Sequence, residues 1–195
     1  MAVPVPQRLI VGITGASGTV YGIRLLEALH GLQVETHLVM TEAADRVAAL
    51  ETELDPAQIR ALADFSYENV DIDAPIASGS FLSMGMVVAP CSIRSLSGIV
   101  RCSSHSLLTR TADVMLKERR RLVLVVRETP LHLGHLRLMS EATEYGAVVL
   151  PPVPGFYHKP RTVADLIDQT VGKILDQFGL EHDLFQRWQG ERDPR

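Results

Sequence analysis

The sequence predicts an α/β protein, a single domain built on a doubly wound parallel sheet. Three observations predict it. Short, nearly unbroken apolar runs recur along the 195 residues, segments with apolar residues at helical spacing alternate with them, and glycines, hydroxyl residues and charged residues gather directly after the runs. Strands buried on both faces read as continuous apolar stretches, and each parallel pair needs a crossover that a helix supplies. In such sheets ligands bind beyond the carboxyl ends of the strands.

The first strand is expected at residues 9–14, followed by a glycine-rich turn and a helix on which Ile23, Leu26 and Leu29 share one face. A strand at 34–40, a helix at 42–50 and a further helix at 56–63 with Asp55 as its N-cap come next. Residues 65–80 make a less regular stretch. Beyond them the pattern predicts a strand at 84–89, helices at 95–101 and 106–119, a strand at 122–127, a helix at 131–145, a strand at 147–150 and a last helix at 163–178. One domain is expected over residues 1–195, with its core at 8–179 and a tail at 180–195.

Composition narrows the function classes. A chain with 46% hydrophobic and 22% charged residues suits one sizeable core. A net charge of -4 supplies no basic field for a polynucleotide backbone, and only residues 117–121 form a basic run. The start has two prolines and no charged segment leading into an apolar one, and no apolar stretch approaches the ~18–20 residues of a membrane span. A cytoplasmic protein with neither nucleic-acid nor membrane partners is expected. Cys91 and Cys102 have no zinc or disulfide spacing and are expected as buried free thiols.

The strand ends deliver the chemistry. Gly15-Ala16-Ser17-Gly18 permits a tight turn and leads into a helix start whose free N–H groups suit an anion; it serves equally as a plain strand-to-helix turn. It is neither the dinucleotide fingerprint nor a nucleoside-triphosphate loop. Pro90-Cys91-Ser92-Ile93-Arg94-Ser95 places hydroxyls and a cation around another helix start, a composition for a phosphate monoester or for a serine cap with a solvated arginine. Arg127 and Glu128 close the fourth apolar run, where a carboxylate beside a cation can relay a proton. The stretch 151–160 holds four prolines that stiffen the setting of Tyr157, or simply make a rigid connector. His132 and His135 lack the companions of a metal site and fit packing and capping; no metal is expected.

Taken together, Gly15-Ala16-Ser17-Gly18, Pro90-Cys91-Ser92, Leu116-Lys117-Glu118-Arg119-Arg120, Arg127-Glu128-Thr129-Pro130, Gly155-Phe156-Tyr157-His158 and Arg187-Trp188 make the chain resemble the UbiX family of flavin prenyltransferases. The resemblance runs in order from about residue 8 to 189. It implies a flavodoxin-like, Rossmann-like fold in a homo-oligomer, commonly a dodecamer. It implies further that reduced flavin mononucleotide (FMN) and dimethylallyl phosphate are joined at flavin N5 and C6, giving prenylated FMN for UbiD-type decarboxylases, including those of ubiquinone biosynthesis. Carried over by residue, flavin contacts would be Gly15, Ala16, Ser17, Thr41, Ser92, Ile93, Arg94, Ser95 and Arg127. The donor phosphate would meet Lys117, Arg127, Tyr157 and Lys173, in one cationic pocket. Glu128 would be the acid–base group, Ser17 a polar contact near N5, and Glu51 a second candidate reaching in from an adjoining subunit. Lys173 stands where the family pattern often has arginine, keeping the charge without the bidentate fork.

Two rivals share the fold. An FMN-dependent decarboxylase of the same superfamily would depend on a particular catalytic histidine that no residue here clearly supplies. A flavodoxin-like electron carrier would need no cation cluster of the kind at 117–128. A nicotinamide reductase is disfavoured by the missing fingerprint.

Overall fold

A computed structural model describes residues 7–188 and residue 190. Expectations for residues 1–6, 189 and 191–195 lie outside the described residues. The elements run β1 (Arg8–Ile13), α1 (Thr19–Gly31), β2 (Glu35–Met40), α2 (Glu42–Glu51), α3 (Pro56–Arg60), β3 (Phe65–Glu68), a 3-10 turn (Pro75–Ala77), β4 (Gly85–Cys91), α4 (Ile93–Val100), α5 (Leu107–Lys117), β5 (Arg121–Val126), α6 (Leu133–Glu144), β6 (Val148–Val149) and α7 (Val163–Asp176).

The sheet has the order β3-β2-β1-β4-β5-β6, and every pairing is parallel. Without the edge strand β3 this is the flavodoxin-like order, and the winding reverses between β1 and β4, where a crevice opens beyond the strand ends. Alternate strand residues face opposite layers. Leu9, Val11 and Ile13 pack with Leu25, Leu26 and Leu29 of α1 and Ile174 and Leu175 of α7. Ile10, Met86 and Val88 pack with Leu96 and Ile99 of α4 and Leu107 and Leu108 of α5. Each fully buried leucine or isoleucine contributes roughly 1.5–3 kcal/mol, so the two layers hold the sheet rigidly beneath the crevice.

The helix starts follow from their caps. Asp55 and Gln58 form a reciprocal capping box on α3, as Thr162 and Asp165 do on α7. Thr41, Ser92 and Ser106 cap α2, α4 and α5. His132 caps α6 by accepting the Gly134 N–H at 3.0 Å, and its ring centroid lies 3.6 Å from that of His135, so these histidines cap and pack as expected.

Two expectations fail here. Residues 65–80 are not wholly irregular, since Phe65–Glu68 adds β3 to the sheet edge. Its Phe65, Ser66 and Glu68 are exposed, so it has no apolar run to announce it. It is fixed instead by the preceding Asp64, whose carboxylate accepts the Thr36 N–H at 2.8 Å and the Thr36 hydroxyl at 2.9 Å. Those bonds, the backbone one foremost, hold the Asp64 carboxyl below the usual range. Of the two thiols only Cys91 is buried, which pushes its pKa up to about 12, whereas Cys102 is exposed at the end of α4. Among the described residues no helix is long and apolar enough to cross a membrane.

Candidate active site

The crevice is laced together by backbone groups. Thr14, buried after β1, donates its hydroxyl to the Pro90 carbonyl at 2.8 Å and accepts the Ser92 N–H at 2.8 Å. The Thr41 N–H donates to the Ile13 carbonyl at 3.1 Å and the Arg127 N–H to the Cys91 carbonyl at 3.1 Å. The loops after β1, β2, β4 and β5 are therefore a single bonded rim, set by the parallel register below.

On this rim Gly15, Ala16 and Ser17 turn the chain into α1. Gly18 is the N-cap with φ 107°, a left-handed conformation that glycine adopts without strain, and it offers no side chain to cap the helix. Glu51, the last residue of α2, does so in its place: its Oε2 accepts the Gly18 N–H at 2.8 Å and the Thr19 N–H at 3.2 Å. Burial works to raise the Glu51 carboxyl, but hydrogen bonds from the Ser17 hydroxyl and both N–H groups, with the Arg127 charge, outweigh it and hold the pKa below the ordinary value. This corrects the expected placement of Glu51. It belongs to the same chain as Ser17, because α2 returns its C-terminus to the start of α1.

Ser17, Gly18, Glu51 and Arg127 line one side of a cleft of about 400 Å³; Val20, Pro152, Val163 and Ile167 form an apolar wall. Tyr21 completes the lining. Burial raises its hydroxyl pKa, opposed by the Arg127 guanidinium. Of these, Val20, Tyr21, Val163 and Ile167 were not anticipated. Val163 and Ile167 read as ordinary helix residues, and Tyr21 follows the glycine loop with no spacing signal of its own. Glu128, next in the chain to Arg127, is exposed and does not line this cleft; its carboxylate accepts the Thr129 N–H at 3.0 Å.

At the start of α4, Ser92 accepts the Ser95 N–H at 3.2 Å and its hydroxyl bonds that of Ser95 at 3.1 Å, while Ile93 is half-buried and Arg94 exposed. Two hydroxyls, a guanidinium and a helix N-terminus fit the phosphate of a mononucleotide. Thr41 spends its oxygen accepting the Ala44 N–H at 3.1 Å and keeps its hydroxyl hydrogen for a ligand.

The donor-side residues do not all converge within one chain. Tyr157 lines a second cleft of about 330 Å³ with His158, Lys159, Arg187 and Trp188. Its loop is tied to α7 where the Gly155 N–H donates to Gln169 Oε1 at 2.8 Å. Lys173 lies one turn further along α7, exposed and paired with Asp176 at 3.3 Å. Lys117 ends α5, paired with Glu118 and beside Gly79. Because α5 runs antiparallel to the strands, this places Lys117 at the amino edge of the sheet, where β5 begins, opposite the Arg127 end. The expected single pocket of Lys117, Arg127 and Tyr157 is thus split over separate surfaces of one chain. Among the described residues no group of three or more His, Cys, Asp or Glu side chains is arranged to hold a metal ion.

The chain matches the Flavoprotein family over residues 4–175. It is 59% identical over 187 residues to the flavin prenyltransferase UbiX of Escherichia coli K12, covering 94% of this chain and 99% of that protein. It is similar to the crystal structure of AnUbiX (PadA1) in complex with FMN and dimethylallyl pyrophosphate, with TM-score 0.94 and 51% identity over 96% of this chain and 100% of the other. It is similar too to a dodecameric FMN-dependent UbiX-like decarboxylase from Escherichia coli O157:H7, with TM-score 0.92 and 48% identity over 94% of this chain and 100% of the other.

Proposed function

Because the chain belongs to the UbiX family of flavin prenyltransferases, we infer that it joins the dimethylallyl group of dimethylallyl phosphate to N5 and C6 of reduced FMN. The observation that carries this reading is the cleft in which Ser17, Glu51 and Arg127 face an apolar wall at the reversal point of the sheet. The product, prenylated FMN, would serve a UbiD-type decarboxylase, and the protein would work in the cytoplasm as a homo-oligomer, a dodecamer like its UbiX-like structural neighbour.

The residues divide the labour. Gly15, Ala16, Ser17 and Thr41 would hold the flavin, with Ser92, Ile93, Arg94 and Ser95 around its phosphate and Arg127 between the two substrates. The flavin supplies the nucleophilic nitrogen and ring carbon. When the allylic carbon–oxygen bond breaks, both electrons leave with the phosphate, and Arg127, Lys117, Tyr157 and Lys173 would stabilise that charge. Two protons leave N5 and C6, one ending on the released phosphate and one on the prenyl chain. Groups that take and return protons are therefore required, and Glu128 and Glu51 fill that role. The apolar wall of Val20, Val163 and Ile167, its two valines exposed in the single chain, would keep water from the developing allylic cation once substrates and a neighbouring copy cover it. Lys117 lies on the opposite edge of its own sheet, and Tyr157 lines a different cleft from Arg127, so these groups would meet on one phosphate only where neighbouring copies bring their surfaces together.

Anaerobic incubation with reduced FMN and dimethylallyl phosphate, read by mass spectrometry, tests the reading: flavin heavier by one prenyl unit is expected. Unchanged flavin with both the phosphate and the pyrophosphate donor, or carbon dioxide released from a carboxylic acid by the protein alone, overturns it.

A further inference from the structure

Arg187 and Trp188 belong to the family resemblance, but nothing above gives Arg187 a task. We propose that Arg187 is a further ligand of the donor phosphate, and that Asp176 is the positioning residue that holds Arg187 and Lys173 side by side; the proposal rests on the reading that the chain uses dimethylallyl phosphate.

Asp176 closes α7 with its side chain 17% exposed. Its Oδ1 accepts from Arg187 at 2.6 Å and from His182 Nε2 at 3.2 Å, and its Oδ2 from Lys173 Nζ at 3.3 Å. Burial works to raise this carboxyl, but the bonds from Arg187 and Lys173 outweigh it and hold its pKa below the ordinary value. The residues that bring Arg187 here are seated by close contact. At Gly172 an added Cβ would lie 2.5 Å from the Phe185 ring and 2.6 Å from the His182 ring, so the tail lies directly against the α7 backbone. The Arg187 guanidinium stands 5.6 Å from the Phe185 ring centroid.

The charge count favours an anion. Two basic side chains, Lys173 and Arg187, share the single Asp176 carboxylate, which leaves one positive charge over. Arg187 gives one terminal nitrogen to Asp176, is 52% exposed, and lines the same cleft as Tyr157, the aromatic hydroxyl already assigned to the phosphate. Lysine is a point charge, whereas arginine presents a planar fork that matches two phosphate oxygens. Arg187 therefore supplies the bidentate geometry that Lys173 lacks.

The test uses the full chain loaded with reduced FMN under anaerobic conditions. Arg187→Gln should raise KM for dimethylallyl phosphate by about ten- to a hundredfold, the weight of a lost charge-assisted contact, with flavin affinity unchanged and most of the loss in KM. Arg187→Lys, which keeps the pair with Asp176, should recover part of that loss, and Asp176→Asn should raise KM by about tenfold. Inorganic phosphate, used as a competitive inhibitor, should weaken in the same order. A wild-type donor KM and phosphate inhibition in Arg187→Gln overturn the proposal, as does reduced thermal stability with KM unmoved. If Arg187→Gln does not fold, an unchanged KM in Arg187→Lys overturns it. Should the wild-type protein form no prenylated flavin, the proposed function fails; calorimetric titration of inorganic phosphate into wild type and Arg187→Lys then decides this site by itself, equal affinities overturning it.

Discussion

Replacing Glu51 by glutamine separates its charge from its shape. The carboxylate caps α1 through N–H bonds of 2.8 and 3.2 Å and faces Arg127. Glutamine keeps one acceptor oxygen for those N–H groups but loses the charge that favours a helix N-terminus. Helix caps contribute about 0.5–2 kcal/mol and the dipole interaction about 0.3–1 kcal/mol at exposed sites. Since Glu51 is exposed and half its capping survives, a loss of about 1 kcal/mol at neutral pH is expected, or ~2–4 °C in a domain of this size. The pH dependence gives the sharper reading. The folded carboxyl is more acidic than the ordinary 4.5, so its contribution is complete above that value and disappears as pH falls through the lower folded value. Urea unfolding of both proteins across this range should show a gap that is full at pH 7 and closes in acid. Other depressed carboxyls, such as Asp64 and Asp165, are common to both proteins and cancel in the difference. A gap that stays constant with pH, or widens in acid, refutes the charge argument.

Glu128→Gln should bind FMN normally and slow prenyl transfer by about 100-fold or more, in keeping with general acid–base catalysis; wild-type turnover removes Glu128 from the mechanism. Gly18→Ala forces an alanine to φ 107° and brings its Cβ to 2.9 Å from the Tyr21 ring, so a loss of roughly 1–3 kcal/mol and weaker flavin retention are expected by denaturation and fluorescence titration. Thr14→Val strands the Ser92 N–H and leaves the Pro90 carbonyl only the Thr14 N–H at 3.3 Å, lowering stability by about 1–3 kcal/mol and loosening the α4 start, which an FMN titration would detect. Arg127→Ala and Lys117→Ala, each inactive alone, should regain on the order of a quarter of wild-type sites when unfolded and reassembled together, because mixed contacts restore both residues to some clefts; no recovery places both residues in one chain's own site.

The strands of the core were legible because a sheet buried on both faces leaves unbroken runs such as Leu122 to Val126, and the caps were legible where Asp55 preceded Pro56. The strand β3 was not, since it pairs on one side and exposes most of its side chains. The rim was readable in outline, since residues after apolar runs must gather at one edge. Its inner wiring was not, because the Glu51 bond to Gly18 spans 33 positions with no periodic signal. Lys117 shows the limit of motif reading: a motif identifies a residue's chemistry, whereas the direction of α5 decides which edge of the sheet it occupies.

The margins of the sheet carry a consequence for how copies meet. At one border β3 has four residues flanked by Asp64 and ending in Glu68; at the other β6 has two and runs into Pro151 and Pro152, which have no N–H to give. Both borders are short and make poor templates for a further strand from another molecule. Assembly through helices and loops is thereby favoured, and strand-to-strand aggregation is disfavoured at both ends by composition and brevity.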